Sequence, residues 1–354
     1  MASNKRVIYS SKGLAIKKSA AIGGLQDLHI LPLSASGVNP SGIWEVPRGV
    51  QSVSISTTFN LEQVFQQGQL AIYENVEDRP DIEMTINRVL DGTQPLYLMA
   101  SDDGGEAAGA RRSLNARNAS YQNEIALHVY PEANVHASGT PDARTMASGM
   151  YLSSVSYTFP VDGSATEEIS FVGNNKFWDA ASGGTAPVNL FPSTSGLILT
   201  DEDAATITPG ANPGVTRRED FDISASTLPT IVPSADRSAI QNVTISADLG
   251  REEIFALGTK DAYHRSIQFP LEVTCSFECI TSEGDLIEAR ADQDNLTNQT
   301  IILKTKQGLT VDLGTKNKLA SIDFSGGDTG GGEVSVTYNF TNFNDLFVSH
   351  VYYP

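Results

Sequence analysis

The side chains that could do chemistry in this sequence are few and scattered. Five histidines, His29, His128, His136, His264 and His350, never fall four apart, nor beside cysteines at zinc-site spacing. Cys275 and Cys279 lie in the alternating run Leu271, Val273, Cys275, Phe277, Cys279. On a strand they face one side with Cα atoms roughly 13 Å apart, beyond disulfide reach. They therefore read as small buried hydrophobes. Asp102-Asp103 and Asp201-Glu202-Asp203 could attract a cation, but the alternating-acid calcium loop is missing. Neither a G-x-S-x-G nucleophile elbow nor a G-x-x-x-x-G-K-[ST] phosphate loop occurs. The glycines Gly326, Gly327, Gly330, Gly331 and Gly332 miss the dinucleotide spacing and open no helix, so they read as a hairpin turn. Carboxylate pairs for glycoside hydrolysis remain open, but nothing marks any pair out. The expectation is a protein with no catalytic residues, no cofactor and no metal, and not an enzyme.

Composition narrows the class further. The chain has 354 residues, 40% hydrophobic and 19% charged, with a formal net charge of -18. That is enough for two or three packed domains and argues against wholesale disorder. A nucleic-acid reader carries the opposite sign. An acidic surface repels DNA, which serves a protein that DNA must slide past; solubility alone explains the charge equally well. The N-terminal stretch MASNKRVIYSSKGLAIKKSAAIGG has no long apolar core, and no window of about 18 apolar residues occurs anywhere. A cytoplasm-like, reducing setting without membrane insertion is expected. The sequons at Asn118 and Asn295 then read as chance.

The elements that would position any site are organised by an internal repeat. VQSVSISTTFNLEQVFQQGQLAIYENVEDRP at 50–80 aligns without gaps to IQNVTISADLGREEIFALGTKDAYHRSIQFP at 240–270, an offset of 190. Identities fall at Gln51/Gln241, Val53/Val243, Ile55/Ile245, Ser56/Ser246, Glu62/Glu252, Phe65/Phe255, Gly68/Gly258, Tyr73/Tyr263 and Pro80/Pro270. After the prolines the match slips by one residue, as a bulge or altered turn would cause.

Each copy begins with a period-two strand, Val53 and Ile55 alternating with serines and Val243 and Ile245 doing the same. Asn60 with Gln63, and Asp248 in the second copy, then suggest caps for a short helix that Gly68 and Gly258 would end. A second alternating strand follows, Ile82, Met84, Ile86 or Leu271 to Cys279. EIALHVY (124–130) and TIILKTK (300–306) read as one further strand per copy. Residues 150–171 and 319–340 both read as strand, turn, strand, with turns at Asp162-Gly163 and in the glycine cluster.

The expected division is a first domain over 1–175, a linker or insertion over 176–235, and a second domain over 236–354. The middle segment is rich in Gly, Pro, Ser and Thr, and Leu197, Ile198 and Leu199 suggest that part of it packs. Residues 34–49 and 101–120 read as long loops. The second carries Arg111, Arg112 and Arg117 and is a candidate contact between stacked rings.

The order of strand, short helix ending in Gly, Tyr, Pro, alternating strand and late hairpin resembles the bacteriophage tail tube proteins. The second copy carries the likeness best, in IQNVTISADLGREEIFALGTKDAYHRSIQFPLEVTCSFECI and EVSVTYNF; VSYTFPVDGSATEEISFVG carries it in the first. The resemblance covers a little over half of the chain. It implies a mainly β (α+β) fold, with two tandem tube-type β-sandwich or barrel domains closing into a ring-forming β-barrel on oligomerisation. Two domains per chain would make the ring a trimer with pseudo-sixfold symmetry. Stacked rings would form a virion tail, assembled in the host cytoplasm, that conducts DNA without binding it specifically. Glu167, Glu168 and Glu333 are candidates for an acidic lumen. Implied partners are sheath, baseplate, terminator and tape-measure proteins. A baseplate hub or tube-end adaptor of the same fold is the alternative, and a non-viral binding module or hydrolase on a β scaffold is another.

Overall fold

The computed structural model describes residues 12–18, 46–68, 70–101, 112–113, 122–130, 141–180, 214–258, 262–281, 287–288, 290, 296–326 and 333–350. In chain order the strands begin β1 (Lys12–Lys18), β2 (Val50–Phe65) and β3 (Ile72–Val89), followed by helix α1 (Leu96–Ser101). Next come β4 (Arg112–Ser113), β5 (Gln122–Val129), β6 (Ala143–Pro160), β7 (Thr166–Gly173) and β8 (Asn175–Ala180). After helix α2 (Ser234–Arg237) the chain forms β9 (Ile240–Asp248), β10 (Arg251–Phe255), β11 (Ala262–Ile267) and β12 (Glu272–Ile280). It ends in β13 (Ile302–Lys304), β14 (Leu309–Asp312), β15 (Lys318–Ser325), β16 (Ser335–Phe343) and β17 (Phe347–His350).

The protein is mostly β, and its sheets are antiparallel. One large sheet runs β15-β16-β12-β9-β6-β7-β3-β2, with β5, β1 and β8 joined through β6. Alternation decides its two faces, because successive strand residues point to opposite sides. Met84, Ile86, Ile169, Phe171, Val243, Ile245, Cys275, Phe277, Tyr338 and Phe340 all point inward and are buried. They form one cluster with α1 and with the four-stranded sheet β13-β14-β17-β4. Phe277 and Phe340 meet edge to face at 5.8 Å, the arrangement that ring quadrupoles favour.

The strand pairing repeats along the chain. Ile55 pairs Met84 and Val53 pairs Ile86; Ile245 pairs Cys275 and Val243 pairs Phe277. Met84 pairs Phe171, as Cys275 pairs Phe340. The one-residue slip expected after the prolines is present, since Met84 and Cys275 are 191 apart while Ile55 and Ile245 are 190 apart. The hairpins β6–β7 and β15–β16 share a bulge as well, between Leu152 and Ser154 and between Leu319 and Ser321.

Several expectations are corrected. Residues 60–68 form no helix: β2 runs on to Phe65 and turns back into β3 at the tip, making a long hairpin arm. Asn60 spends its side-chain amide across the hairpin, on the Arg79 carbonyl at 3.2 Å and Asp81 Oδ2 at 2.8 Å, instead of capping a helix. In the second copy β10 and β11 form the corresponding arm, and Asp248 accepts only from Gly250 N, two residues on. Gly68 and Gly258 have φ of 89° and 90°, and each serves its hairpin tip. EIALHVY lies in β5 of the large sheet, whereas TIILKTK contributes β13 to the small one, so they are not a matched pair. In the segment between the copies, β8 and residues 214–235 are ordered against the sheets, with Phe221 and Thr227 bridging Thr305 and Ile302. Leu197 to Leu199 lie outside the described residues.

Candidate functional site

Among the described residues, β15 and β2 are the strands at which the main path of the large sheet ends. In its middle, β6 meets β9 with Val155 opposite Ala247, Tyr157 opposite Ile245 and Phe159 opposite Val243. The strand that relates to β7 as β15 relates to β16 is β6, and the partner of β12 that matches β2 is β9. The residues used in the internal joint therefore have counterparts on both free edges. Tyr157 is 0% exposed in the joint, whereas Phe324, at the same register position of β15, is 54% exposed. Val53 and Ile55 on β2 are half-buried, whereas Val243 and Ile245 are fully covered. Large apolar side chains on an open edge strand are a template onto which a further strand can pair.

The hairpin arms carry much of the other exposed apolar surface among the described residues. On β2–β3 these are Phe59, Leu61, Phe65, Leu70, Ile72 and Tyr73; on the second arm, Ile254, Phe255 and Leu257. Arm registers are identical at the offset of 190: Gln63 opposite Asn75 and Glu253 opposite Arg265, each arm shifting register just before its Phe, Phe65 or Phe255. The second arm lies against the first copy. Arg79 Nη2 is 2.9 Å from Glu253 Oε2, and its guanidinium sits 4.7 Å over the Phe255 ring. Arg265 donates to Asn174 Oδ1 at 3.0 Å and pairs with Glu253. Arg251 Nε donates to the Leu152 carbonyl at 2.6 Å.

The outer face of the large sheet is a carpet of hydroxyls and amides with acids among them. It includes Ser54, Ser56, Thr85, Ser170, Ser156, Thr158, Thr244, Ser246, Thr274, Thr337 and Asn339, with Glu83, Glu168, Glu272, Glu278 and Asp323. Cross-strand bonds occupy many of these groups, such as Thr85 to Ser170 at 3.0 Å and Ser246 to Thr274 at 2.7 Å. Glu168 accepts from Asn87 on this face. Glu333 is exposed ahead of β16.

Glu167 is not on that face. It has the parity of Ile169 and Phe171 and is buried with Arg88 beneath the sheet. Its carboxylate accepts Leu96 N at 2.7 Å, Tyr97 N at 3.0 Å and the Tyr157 hydroxyl at 2.9 Å, so it caps α1. Arg88 Nε stands 3.7 Å away, and Arg88 also donates to the Gln94 carbonyl, Asp91 and Thr93. Burial raises the Glu167 pKa against the opposing pull of Arg88 and its donors, and burial followed by the Glu167 charge raises that of Tyr157. Such a centre fixes a turn and a helix end, and both of its charged side chains are fully buried.

The remaining sequence candidates are dispersed. Cys275 and Cys279 are free and buried, with thiol pKa values pushed up by burial, that of Cys279 to about 12. His128 and His350 are buried, and among the described residues no three His, Cys, Asp or Glu side chains converge on a metal position. Gln51 is exposed on β2, where it donates to the Gly49 carbonyl, and Gln241 donates to the Ala239 carbonyl. Glu62 and Glu252 lie on the arms, Tyr263 is in β11, and Pro80 and Pro270 lie at the arm bases. Arg112 falls in β4; Arg111 and Arg117, with most of the loop proposed to contact stacked rings, lie outside the described residues.

No family model and no curated protein matches the chain. Among solved structures it is similar to a chain of the anti-feeding prophage baseplate (TM-score 0.30, 8% identity, 50% of this chain and 97% of that one). It is similar also to a chain of the native gene transfer agent virion (TM-score 0.26, 14% identity, 35% and 95%). A third is an Hcp protein crystal structure (TM-score 0.22, 16% identity, 48% and 98%). Likeness this slight carries no argument about what the chain does.

Proposed function

We propose that this chain is a self-assembling structural subunit of a phage-type tail tube, built from two tandem copies of one β unit, and that its copies join into a closed ring. The observation that carries this reading is the internal joint between β6 and β9. It is antiparallel and in register, and its two sides have open counterparts on β15 and β2. Joining β15 of one chain to β2 of the next would continue the sheet by the same pairing: Phe324 opposite Ile55, and Ile322 opposite Thr57. Closure pairs the two strands that end the main path, β15 and β2, which removes the long open edges that such a sheet otherwise presents. Three chains would supply six units. The polar outer face, richer in acids than in cations, would then line the lumen, where it offers a passing polyanion few cationic partners.

The test is the mass of the purified protein by light scattering, across a concentration series, with negative-stain images of the same samples. Trimers seen end-on as closed rings, and tubes at high concentration, are the expected result. A monomer at every concentration would overturn the reading.

A further inference from the structure

The two kinds of joint in such a ring are not chemically alike, and the arms carry the difference. Inside the chain the second arm is seated by charge: Glu253 on Arg79, Arg265 on Asn174, Arg79 over the Phe255 ring. The repeat supplies counterparts for these members; Asp81, which Arg265 also meets at 3.4 Å, keeps a carboxylate in its counterpart Glu272. On the arm, Glu253 becomes Gln63, Arg265 becomes Asn75, Arg251 becomes Leu61 and Phe255 stays aromatic as Phe65. On the seat, Arg79 becomes Phe269, and Asn174 becomes Phe343, by the offset of 169 that relates β7 to β16. Leu61, Phe65, Phe269 and Phe343 are all exposed, at 61%, 64%, 55% and 58%.

We infer that the arm β2–β3 is seated on a second copy of this chain, with Phe65 and Leu61 packed against that copy's Phe269 and Phe343. The seat on Arg79 and Asn174 within a chain is thereby replaced by one on Phe269 and Phe343 between chains. The inference rests on the ring reading above. The occupant is set by the internal joint, which brings the second arm across the ends of β6 and β7 onto the base of the first. Applied across the open edges, the same placement carries the first arm across the ends of β15 and β16. It accounts for apolar residues on two opposite edges of one molecule with a single contact. Its chemical consequence is that chain-to-chain contacts resist salt, because apolar burial is not screened as exposed ion pairs are.

The test is a charge swap read by light scattering at 50 mM and 1 M salt. Phe343→Lys should weaken trimer formation about tenfold or more, as truncating an anchor residue of an interface does. Adding Asn75→Glu should restore association at low salt and make it salt-sensitive, which the parent is not. Both positions are surface-exposed, and circular dichroism verifies that the fold is kept. Trimers unaffected by Phe343→Lys, or a loss that Asn75→Glu does not restore, would overturn the arm seat while leaving the ring reading in place. A parent protein that never associates would end both.

Discussion

Leu249 and Phe59 stand 190 residues apart at the same place in the repeat, yet Leu249 is 0% exposed and Phe59 is 73% exposed. The difference comes from what lies next to each. The Leu249 amide donates to the Ser153 carbonyl at the bulge in β6, and its side chain belongs to the buried core cluster. Among the described residues no strand lies beyond β2 at Phe59, and the counterpart of Ser153 is Ala320, on the far edge of the sheet. A large aromatic left in water at a position that is elsewhere fully buried forgoes about 2 kcal/mol. Phe59→Ser should therefore leave the monomer's stability unchanged within about 0.5 kcal/mol. It should weaken self-association measured by light scattering. An equal loss in urea-unfolding stability would show that Phe59 serves the monomer instead.

The opposite edge gives a second expectation. Phe324→Lys puts a charge on β15 where the internal joint has Tyr157. An edge-strand lysine blocks strand addition because its charge would be buried on pairing. Rings should disappear from electron micrographs while the thermal midpoint of the monomer is kept.

The buried centre makes a third. Tyr157→Phe removes the hydroxyl that donates to Glu167 at 2.9 Å and changes little else in volume. A buried carboxylate that loses a donor costs about 1–3 kcal/mol. Urea unfolding at neutral pH should report a loss in that range. No change would mean that Glu167 is protonated and already self-sufficient.

Much of this architecture is legible in the sequence, and the failures have physical causes. Val53, Ile55, Val243 and Ile245 announce their strands by period, and the slip after Pro80 and Pro270 locates a real register change. The arms were misleading because Asn60, Gln63 and Gly68 satisfy local rules for a helix. Local rules do not see Arg79 and Asp81 waiting across a hairpin to accept the Asn60 amide. Glu167 misleads for another reason: beside Glu168 it looks like half of a solvated pair. The usable signal was parity, since Glu167 alternates in step with Ile169 and Phe171 and must point inward with them. The unequal arm seats are set by the pairing of β7 with β3 and of β16 with β12, which places Phe343 where the first copy has Asn174, and no sequence period announces that offset.

A backbone position gives a fourth expectation. Gly49 has φ of 73°, and a Cβ there would meet the Val89 carbonyl oxygen at 2.3 Å. The Gly49 carbonyl in turn accepts Val89 N at 2.9 Å, so the loop is pinned where a side chain cannot fit. Gly49→Ala should lower stability by at least about 1–3 kcal/mol through left-handed strain alone, with the clash added. A melting temperature equal to the parent's would show that the loop relaxes freely.

His350 supplies the pH dependence. It is buried at the end of β17, and desolvation, with the Arg88 charge second, lowers its pKa to about 4 from 6.5; Asp91 pulls the other way. In the unfolded chain it takes up a proton as pH falls through 6.5, while in the folded chain it stays neutral until about 4. The unfolded state thus binds more protons across that window, so folding stability falls as pH falls from 6.5 to 4. The full difference amounts to roughly 3 kcal/mol at 1.36 kcal/mol per pKa unit. Glu167 works in the opposite sense: its raised pKa makes stability fall as pH rises above the ordinary carboxylate value. The two slopes therefore oppose each other, and the parent's pH profile alone does not separate them. His350→Gln removes one of them. The variant should lose less stability than the parent on acidification from pH 6.5 to 4, measured by urea unfolding of the monomeric Phe324→Lys background. Equal slopes in the two proteins would assign the acid sensitivity to other groups.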